Sequence, residues 1–190
     1  MLSKLRFILN TVLFHIYAFL FRKNLVLDKT VRINLWPILN IHPKAKVIIG
    51  KNVMLNSSNR TYHVNMFSKV KISCDKPNSS ILIGSNSRIH GSCIHAFEKI
   101  EIGNNCLIAA NCQIIDANGH DSHVLKRFSS QGKSAPIHIS DNVWIGTGCI
   151  ILPGTNIGAN SIISAGSVVH GTVPPNVIYG GNPAKLIKNL

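Results

Sequence analysis

Two histidines, His120 and His123, stand three residues apart in the polar segment IIDANGHDSHVLKRF (residues 114–128), directly after a regular aliphatic pattern breaks off. An imidazole titrates near ~6.5, so at neutral pH it can take a proton from a hydroxyl and later return it to a leaving group. Each histidine is therefore a candidate general base, and each can equally be a solvated loop residue. Asp116 and Asp121 flank them and can orient an imidazole, as a backbone carbonyl also can. His63, His90 and His95 raise metal chemistry instead. Zinc catalysis needs three protein ligands and an open position. His90 and His95 are five apart, but His63 lies too close to them, in an irregular stretch, to complete a set. No metal is expected.

The elements that must position these residues show in a six-residue spacing. Ile139, Ile145, Ile151, Ile157, Ile163 and Val169 recur every sixth residue, followed four residues later by Val143, Cys149, Thr155, Ser161, Ser167 and Val173. Ile83 and Ile89, then Ile102, Ile108 and Ile114, keep the same spacing, with Cys93, Cys106 and Cys112 at the fourth offset. A period of six fits neither a helix nor an unbroken strand; it suits short strands joined by regular corners and stacked coil upon coil. The expected fold is all-β. Four of the five cysteines then occupy the small inward position, as does Cys74 if Val70 opens a repeat, and all five are expected in the core.

The pattern is disturbed in three places. Residues 56–80 are polar and poorly periodic, with a turn expected over 76–80. Ile83 and Ile102 are separated by one residue more than three hexads. The largest interruption, 117–136, is rich in Gly, Ser and basic residues and must leave the coil as a loop, the kind of segment that carries function on a rigid scaffold.

The chain of 190 residues suits one main domain. Twenty Lys and Arg against seven Asp and Glu give a net charge of +13, which favours anionic partners. The basic residues are dispersed and not interleaved with aromatics on one face, so a nucleic-acid partner is not expected; a non-catalytic basic solenoid that binds anionic partners is the alternative from a different class. An odd number of cysteines with no CxxC pair fits a reducing compartment, hence the cytoplasm. Residues 1–27 form an expected amphipathic helix, with Leu2, Leu5, Leu9, Val12, Leu13, Ile16 and Leu20 on one stripe and Lys4, Arg6, Arg22 and Lys23 flanking the apolar run. The stripe either lies on an anionic membrane surface, at the inner face of the cell membrane, or packs against its own domain or a sister subunit. Residues 28–190 are the expected coil domain, with 174–190 as its tail.

The hexads and the closing run DNVWIGTGCIILPGTNIGANSIISAGSVVHGTVPPNVIYGGNPAKLIKNL resemble the hexapeptide-repeat acyltransferases, over roughly residues 40–190. Within that family the closing run is similar to the sugar O-acetyltransferases, galactoside and maltose acetyltransferases among them. The resemblance implies a left-handed parallel β-helix of triangular coils, a homotrimer with active sites between subunits, and acetyl-CoA as acyl donor with no metal. By resemblance the GH pair in NGHDSH makes His120 the general base, with His123 the weaker candidate. Trp144, Gly146, Thr147, Ala165 and Gly166 line the pantetheine arm, Lys185 and Lys188 face the nucleotide phosphates, and His170 takes over a phosphate contact where relatives carry Thr-Lys. His90, Ser92 and Glu98, with His123, are the acceptor candidates. The Asn and Asp of the galactoside enzymes are missing at the corresponding stretch, which argues against a galactoside acceptor; the basic, membrane-seeking N-terminus, without the helical cap typical of the galactoside and maltose enzymes, points to a sugar hydroxyl in cell-surface polysaccharide assembly, with an amino sugar nucleotide or serine as alternatives. The gamma-class carbonic anhydrases share the repeat but need the third histidine that is missing here.

Overall fold

The computed structural model describes residues 2–130 and 132–190. Helix α1 (Leu2–Phe21) is followed by twenty-one short strands wound into a left-handed prism with three parallel sheets as its faces. The first face is formed by β1 (Leu25–Leu27), β4 (Lys46–Ile49), β7 (Ser80–Ile83), β10 (Lys99–Ile102), β13 (Ile137–Ile139), β16 (Asn156–Ile157) and β19 (Thr172–Val173). The second is formed by β2 (Arg32–Asn34), β5 (Met54–Asn56), β8 (Arg88–His90), β11 (Leu107–Ile108), β14 (Trp144–Ile145), β17 (Ile162–Ile163) and β20 (Val177–Gly181), closed by antiparallel β21 (Ala184–Asn189). The third comprises β3 (Ile38–Ile41), β6 (Lys71–Cys74), β9 (Cys93–His95), β12 (Gln113–Ile115), β15 (Ile150–Ile151) and β18 (Val168–Val169).

The hexad isoleucines stack in register through the coils. On the second face Ile33, Leu55, Ile89, Ile108, Ile145 and Ile163 form one inward column, all fully buried. A coil is too thin to hold a core alone, so each aliphatic side chain is buried by its neighbours above and below.

The corner between the first and second faces carries a feature the hexad reading did not isolate. Asn52, Asn86, Asn105, Asn142, Asn160 and Asn176 all have φ between 57° and 62°, the left-handed region that Asn tolerates better than other side chains. Their amides link in one ladder, each Nδ2 donating to the next Oδ1 at 2.8–3.2 Å. Beside the ladder the coils approach so closely that a Cβ on Gly84 would meet the Gly103 backbone at 2.5 Å.

Several expectations change. The prism begins at Leu25, inside the segment assigned to the helix, because β1 pairs with β4. The extra residue between Ile83 and Ile102 is not spread evenly: Ile89 and Ile94, the centres of β8 and β9, are only five apart, with Gly91 at φ 41° between them. That shift turns Ser92 inward and Cys93 outward, so Cys93 pairs with Lys71 and Gln113 on the outer row of the third face and is half-buried, while the other four cysteines are core residues. Ile72, not Val70, is the strand centre that aligns with Ile94. Val173 aligns with Ile157, so the last corner is two residues short and Val173 occupies a strand centre rather than a fourth offset. The side chain of Leu2 lies outside the described residues; the rest of its stripe faces away from the prism. Helix α1 packs instead through Phe14 and Ala18, with Thr11, His15 and Trp36 making polar contacts across the joint.

Candidate active site

The loop 117–136 leaves the prism at the corner between the third and first faces. Its neck is closed by an antiparallel bridge between Ala117 and Ser134, and by hydrogen bonds from Asn118 N to Lys133 O and from Ala135 N to Asp116 O. Asp116, directly before the neck, is fully buried. Its carboxylate accepts three backbone N–H groups of the coil below, from Phe97 at 2.7 Å, Glu98 at 2.9 Å and Lys99 at 2.7 Å. This overturns the expectation that Asp116 orients a histidine. It anchors the loop to a widened corner that has no regular strand pairing of its own. Asp121 is likewise spent within the loop, accepting from His123 N at 2.8 Å and from Ser130 Oγ at 3.2 Å.

The two loop histidines are held in opposite ways. His120 Nδ1 lies 2.9 Å from the carbonyl oxygen of Arg127. A carbonyl can only accept, so Nδ1 carries the proton and Nε2 of the neutral ring keeps its lone pair. His123 Nδ1 lies 3.3 Å from the amide nitrogen of Leu125, which can only donate. The neutral His123 ring therefore carries its proton on Nε2 and has no free basic nitrogen. Both side chains are exposed, and in this arrangement the unprotonated ring nitrogen is free on His120 and engaged on His123.

The acceptor candidates separate. Glu98 stays at the loop base, where its Oε2 accepts from Ser134 Oγ at 3.0 Å. Ser92 is fully buried; its single hydroxyl proton is donated to Ala109 O at 2.7 Å or to His90 O at 2.8 Å, and its oxygen accepts from Cys112 N. It cannot meet a substrate, and the inward turn of Ser92 at the five-residue step is the reason. His90 lies at the other corner, between the second and third faces. It stacks on Tyr62 with ring centroids 4.2 Å apart and planes 17° apart. Asn56 Oδ1 already accepts from Asn34 and Ser58, so Asn56 Nδ2 donates to His90 Nδ1 at 3.2 Å. Burial first, then the charges of Arg88 and His63, hold the His90 imidazole down at about 4, so it is neutral near pH 7. His95 faces the third side, with Nε2 3.0 Å from Asp75 Oδ1. His90 and His95 therefore point to separate partners, and among the described residues no three His, Cys, Asp or Glu side chains gather as a metal-ligand set.

Four of the donor candidates, Gly146, Thr147, Ala165 and Gly166, stack on successive coils of the corner between the second and third faces. Gly146 lies against Ala165, where a Cβ would stand 2.6 Å from the Ala165 amide nitrogen. Thr147 Oγ1 donates to Ala110 O at 2.8 Å, and Gly166 N donates to Thr147 O at 2.9 Å. Gly148 and Gly166 adopt φ of 69° and 71° with nothing near the position of a Cβ, which leaves open backbone along this edge. Trp144 is half exposed on the second face. Lys185 and Lys188 lie exposed on β21, and His170 is exposed at the short corner two residues before β19. Gly146, Thr147, Ala165 and Gly166 are thus brought together on one edge of open backbone, while His170 lies on the corner between the third and first faces, away from that edge.

Two contacts of the candidate site escaped the sequence. Arg127 acts through its carbonyl, which no residue type reveals. Tyr62, from the polar stretch 57–69, builds the wall beside His90, and burial pushes its phenol up. The pairing of an aromatic with His63 in a stretch without hexads was the available signal. Within one chain the loop histidine and the donor edge lie on different corners, on either side of the third face.

Residues 136–171 match the family described as bacterial transferase hexapeptide (six repeats). The galactoside O-acetyltransferase of Escherichia coli (strain K12) is 43% identical over 91 residues, covering 48% of this chain and 44% of that protein. The chain matches about half the length of its first curated relatives. Among solved structures, the polySia-specific acetyltransferase NeuO is 26% identical with a TM-score of 0.67, covering 87% of this chain and 66% of that one. A hexapeptide-repeat-containing acetyltransferase of Vibrio cholerae O1 biovar eltor, complexed with acetyl coenzyme A, is 26% identical with a TM-score of 0.54, covering 81% and 70%. Residues 136–171 thus match the bacterial transferase hexapeptide, and the chain has the left-handed parallel β-helix fold of the acetyltransferases to which its structure is similar.

Proposed function

We propose that the protein transfers an acetyl group from acetyl-CoA to a sugar hydroxyl, with His120 as general base. The observation that carries this reading is the opposite hydrogen bonding of the two loop imidazoles, which leaves a lone pair on His120 Nε2 alone. In the reaction Nε2 takes the hydroxyl proton as the oxygen attacks the thioester carbonyl carbon. A C–O bond forms, the C–S bond breaks, and the same nitrogen returns the proton to the departing thiolate. The acetyl donor lies along the edge of Gly146, Thr147, Ala165 and Gly166, with Lys185 and Lys188 toward its phosphates. The acetyl-CoA complex of the Vibrio relative supports that donor.

The separation of His120 from the donor edge favours a homotrimer in which the loop of one prism faces the coils of the next. A polysaccharide or its precursor is the acceptor best suited to an exposed loop and a net charge of +13; the polySia-specific relative points the same way. The test is a panel of glycans, nucleotide sugars and serine incubated with acetyl-CoA and read by mass. A gain of one acetyl group on a glycan hydroxyl is expected. Acetylation only of an amine or of serine would refute the acceptor class, and no transfer alongside retained polyanion binding would refute the enzyme.

A further inference from the structure

Helix α1 crosses the lower end of the prism with one face committed and the other bare. Its inner side is fixed by polar contacts: Ile33 N donates to Thr11 Oγ1 at 3.0 Å, His15 Nε2 lies 2.9 Å from Val31 O, and Trp36 Nε1 donates to Asn10 O at 3.3 Å. The outer row, Leu5, Leu9, Val12 and Ile16, is about half exposed or more. By length and composition Lys4–Phe21 could cross a membrane. A crossing helix would have to abandon those inner contacts and carry Thr11 and His15 into hydrocarbon without their partners. The helix as packed can instead lie flat, with its outer row immersed and the prism above.

At the N-terminal end of α1 lies a cleft of about 580 Å³. Lys4 and Arg6 from the helix, Arg32 from β2 and Arg60 from the excursion 57–69 line it, with Phe7 and Met54 among its apolar walls. No carboxylate lines it, and among the described residues none of these four cations is in a salt bridge. Three separate segments thus bring four like charges to one concave site, an arrangement that a bound anion stabilises. Arg22 and Lys23 line a second cleft at the other end of the helix. Helix α1 has no Asp or Glu, so a second copy laid row to row would set cations against cations.

We propose that α1 lies in the plane of an anionic membrane with Leu5, Leu9, Val12 and Ile16 at the acyl boundary, and that the cleft takes the phosphate of a lipid headgroup. The apolar row and the cleft act together: one supplies burial, the other selects charge.

The test is flotation of the full chain with vesicles of phosphatidylcholine alone, or of phosphatidylcholine mixed with phosphatidylglycerol. The protein should float with the mixed vesicles only. Each cation near such a surface strengthens partition about fivefold, so Arg32→Gln with Arg60→Gln should weaken it about 25-fold. Lys29→Gln with Lys51→Gln, an equal charge loss on the corner between the first and second faces, should weaken it far less. Leu9→Ser with Val12→Ser should abolish flotation without changing the size of the particle in solution, and inorganic phosphate at fixed ionic strength should weaken flotation of the native chain without abolishing it, because the apolar row still holds the surface. Unchanged melting curves would show that each variant is folded. Equal flotation on neutral vesicles, an unaffected Arg32/Arg60 variant, complete release by phosphate at fixed ionic strength, or a smaller particle for the Leu9/Val12 variant would each overturn the proposal, the last because the row would then be a contact between copies.

Discussion

His120 Nδ1 is fixed 2.9 Å from the carbonyl oxygen of Arg127, seven residues further along the same loop. The main chain, rather than a carboxylate, sets the orientation and the tautomer of the ring. Neither aspartate in the segment touches it. Asp121→Asn should therefore keep turnover within about tenfold of the native protein, unlike the loss of an orienting carboxylate in a triad, which removes about four orders of magnitude. Steady-state kinetics with a responsive glycan would decide between the two.

Asp116 has the opposite role, mechanical rather than chemical. Its buried carboxylate holds three amides of the widened corner at 97–99. Asp116→Asn puts an amide donor against one of those N–H groups and should cost about 2–3 kcal/mol of stability. Denaturant unfolding would measure it; an unchanged midpoint would show that the corner holds without the anchor.

The asparagine ladder gives a prediction far from the loop. Asn105 accepts from Asn86 and donates to Asn142, both at 3.1 Å, with φ at 57°. Asn105→Ala removes two hydrogen bonds and places an ordinary side chain in the left-handed region, a loss of about 1–3 kcal/mol. Asn105→Gly should recover part of it, because glycine adopts that φ freely. Equal thermal stability of the Ala variant and the native protein would rule out a structural contribution from the ladder.

His90 makes stability depend on pH. Its folded value is held at about 4, mainly by burial, while in the unfolded chain it titrates near ~6.5. Above ~6.5 both states are neutral there. As pH falls from ~6.5 toward 4 the unfolded state gains a proton that the folded state refuses, so stability drops, by roughly 1–3 kcal/mol. His90→Gln should flatten this part of the curve. Melting temperatures taken between those limits would show no such difference if the ring were freely protonated in the fold.

The repeat was legible because its signal is redundant: an inward isoleucine every sixth residue leaves little choice of register over 139–169. Ser92 and Cys93 show where that clarity stops. Both are small enough for the inward position, and only the five-residue step from Ile89 to Ile94 decides between them. Asn52, Asn86, Asn105, Asn142, Asn160 and Asn176 were all visible, but their spacing follows the varying coil lengths, so the column emerges only once the coils are stacked. The GH pair singled out His120 by resemblance; what distinguishes it from His123 is one carbonyl and one amide, both backbone groups and so silent in the sequence. The stripe on α1 was visible as a pattern, yet the helix packs through Phe14 and Ala18 on its other side, because those residues meet Trp36 and the first coils.

The most direct test of the account compares His120→Ala and His123→Ala for acetyl transfer to a glycan, alongside acetyl-CoA binding by calorimetry. With His120 as base, its removal should lower turnover by about 10²–10⁴ while donor affinity stays unchanged, and His123→Ala should lose less than about tenfold by loosening the turn at Leu125. Full activity in His120→Ala, whether or not His123→Ala is dead, would contradict the central claim.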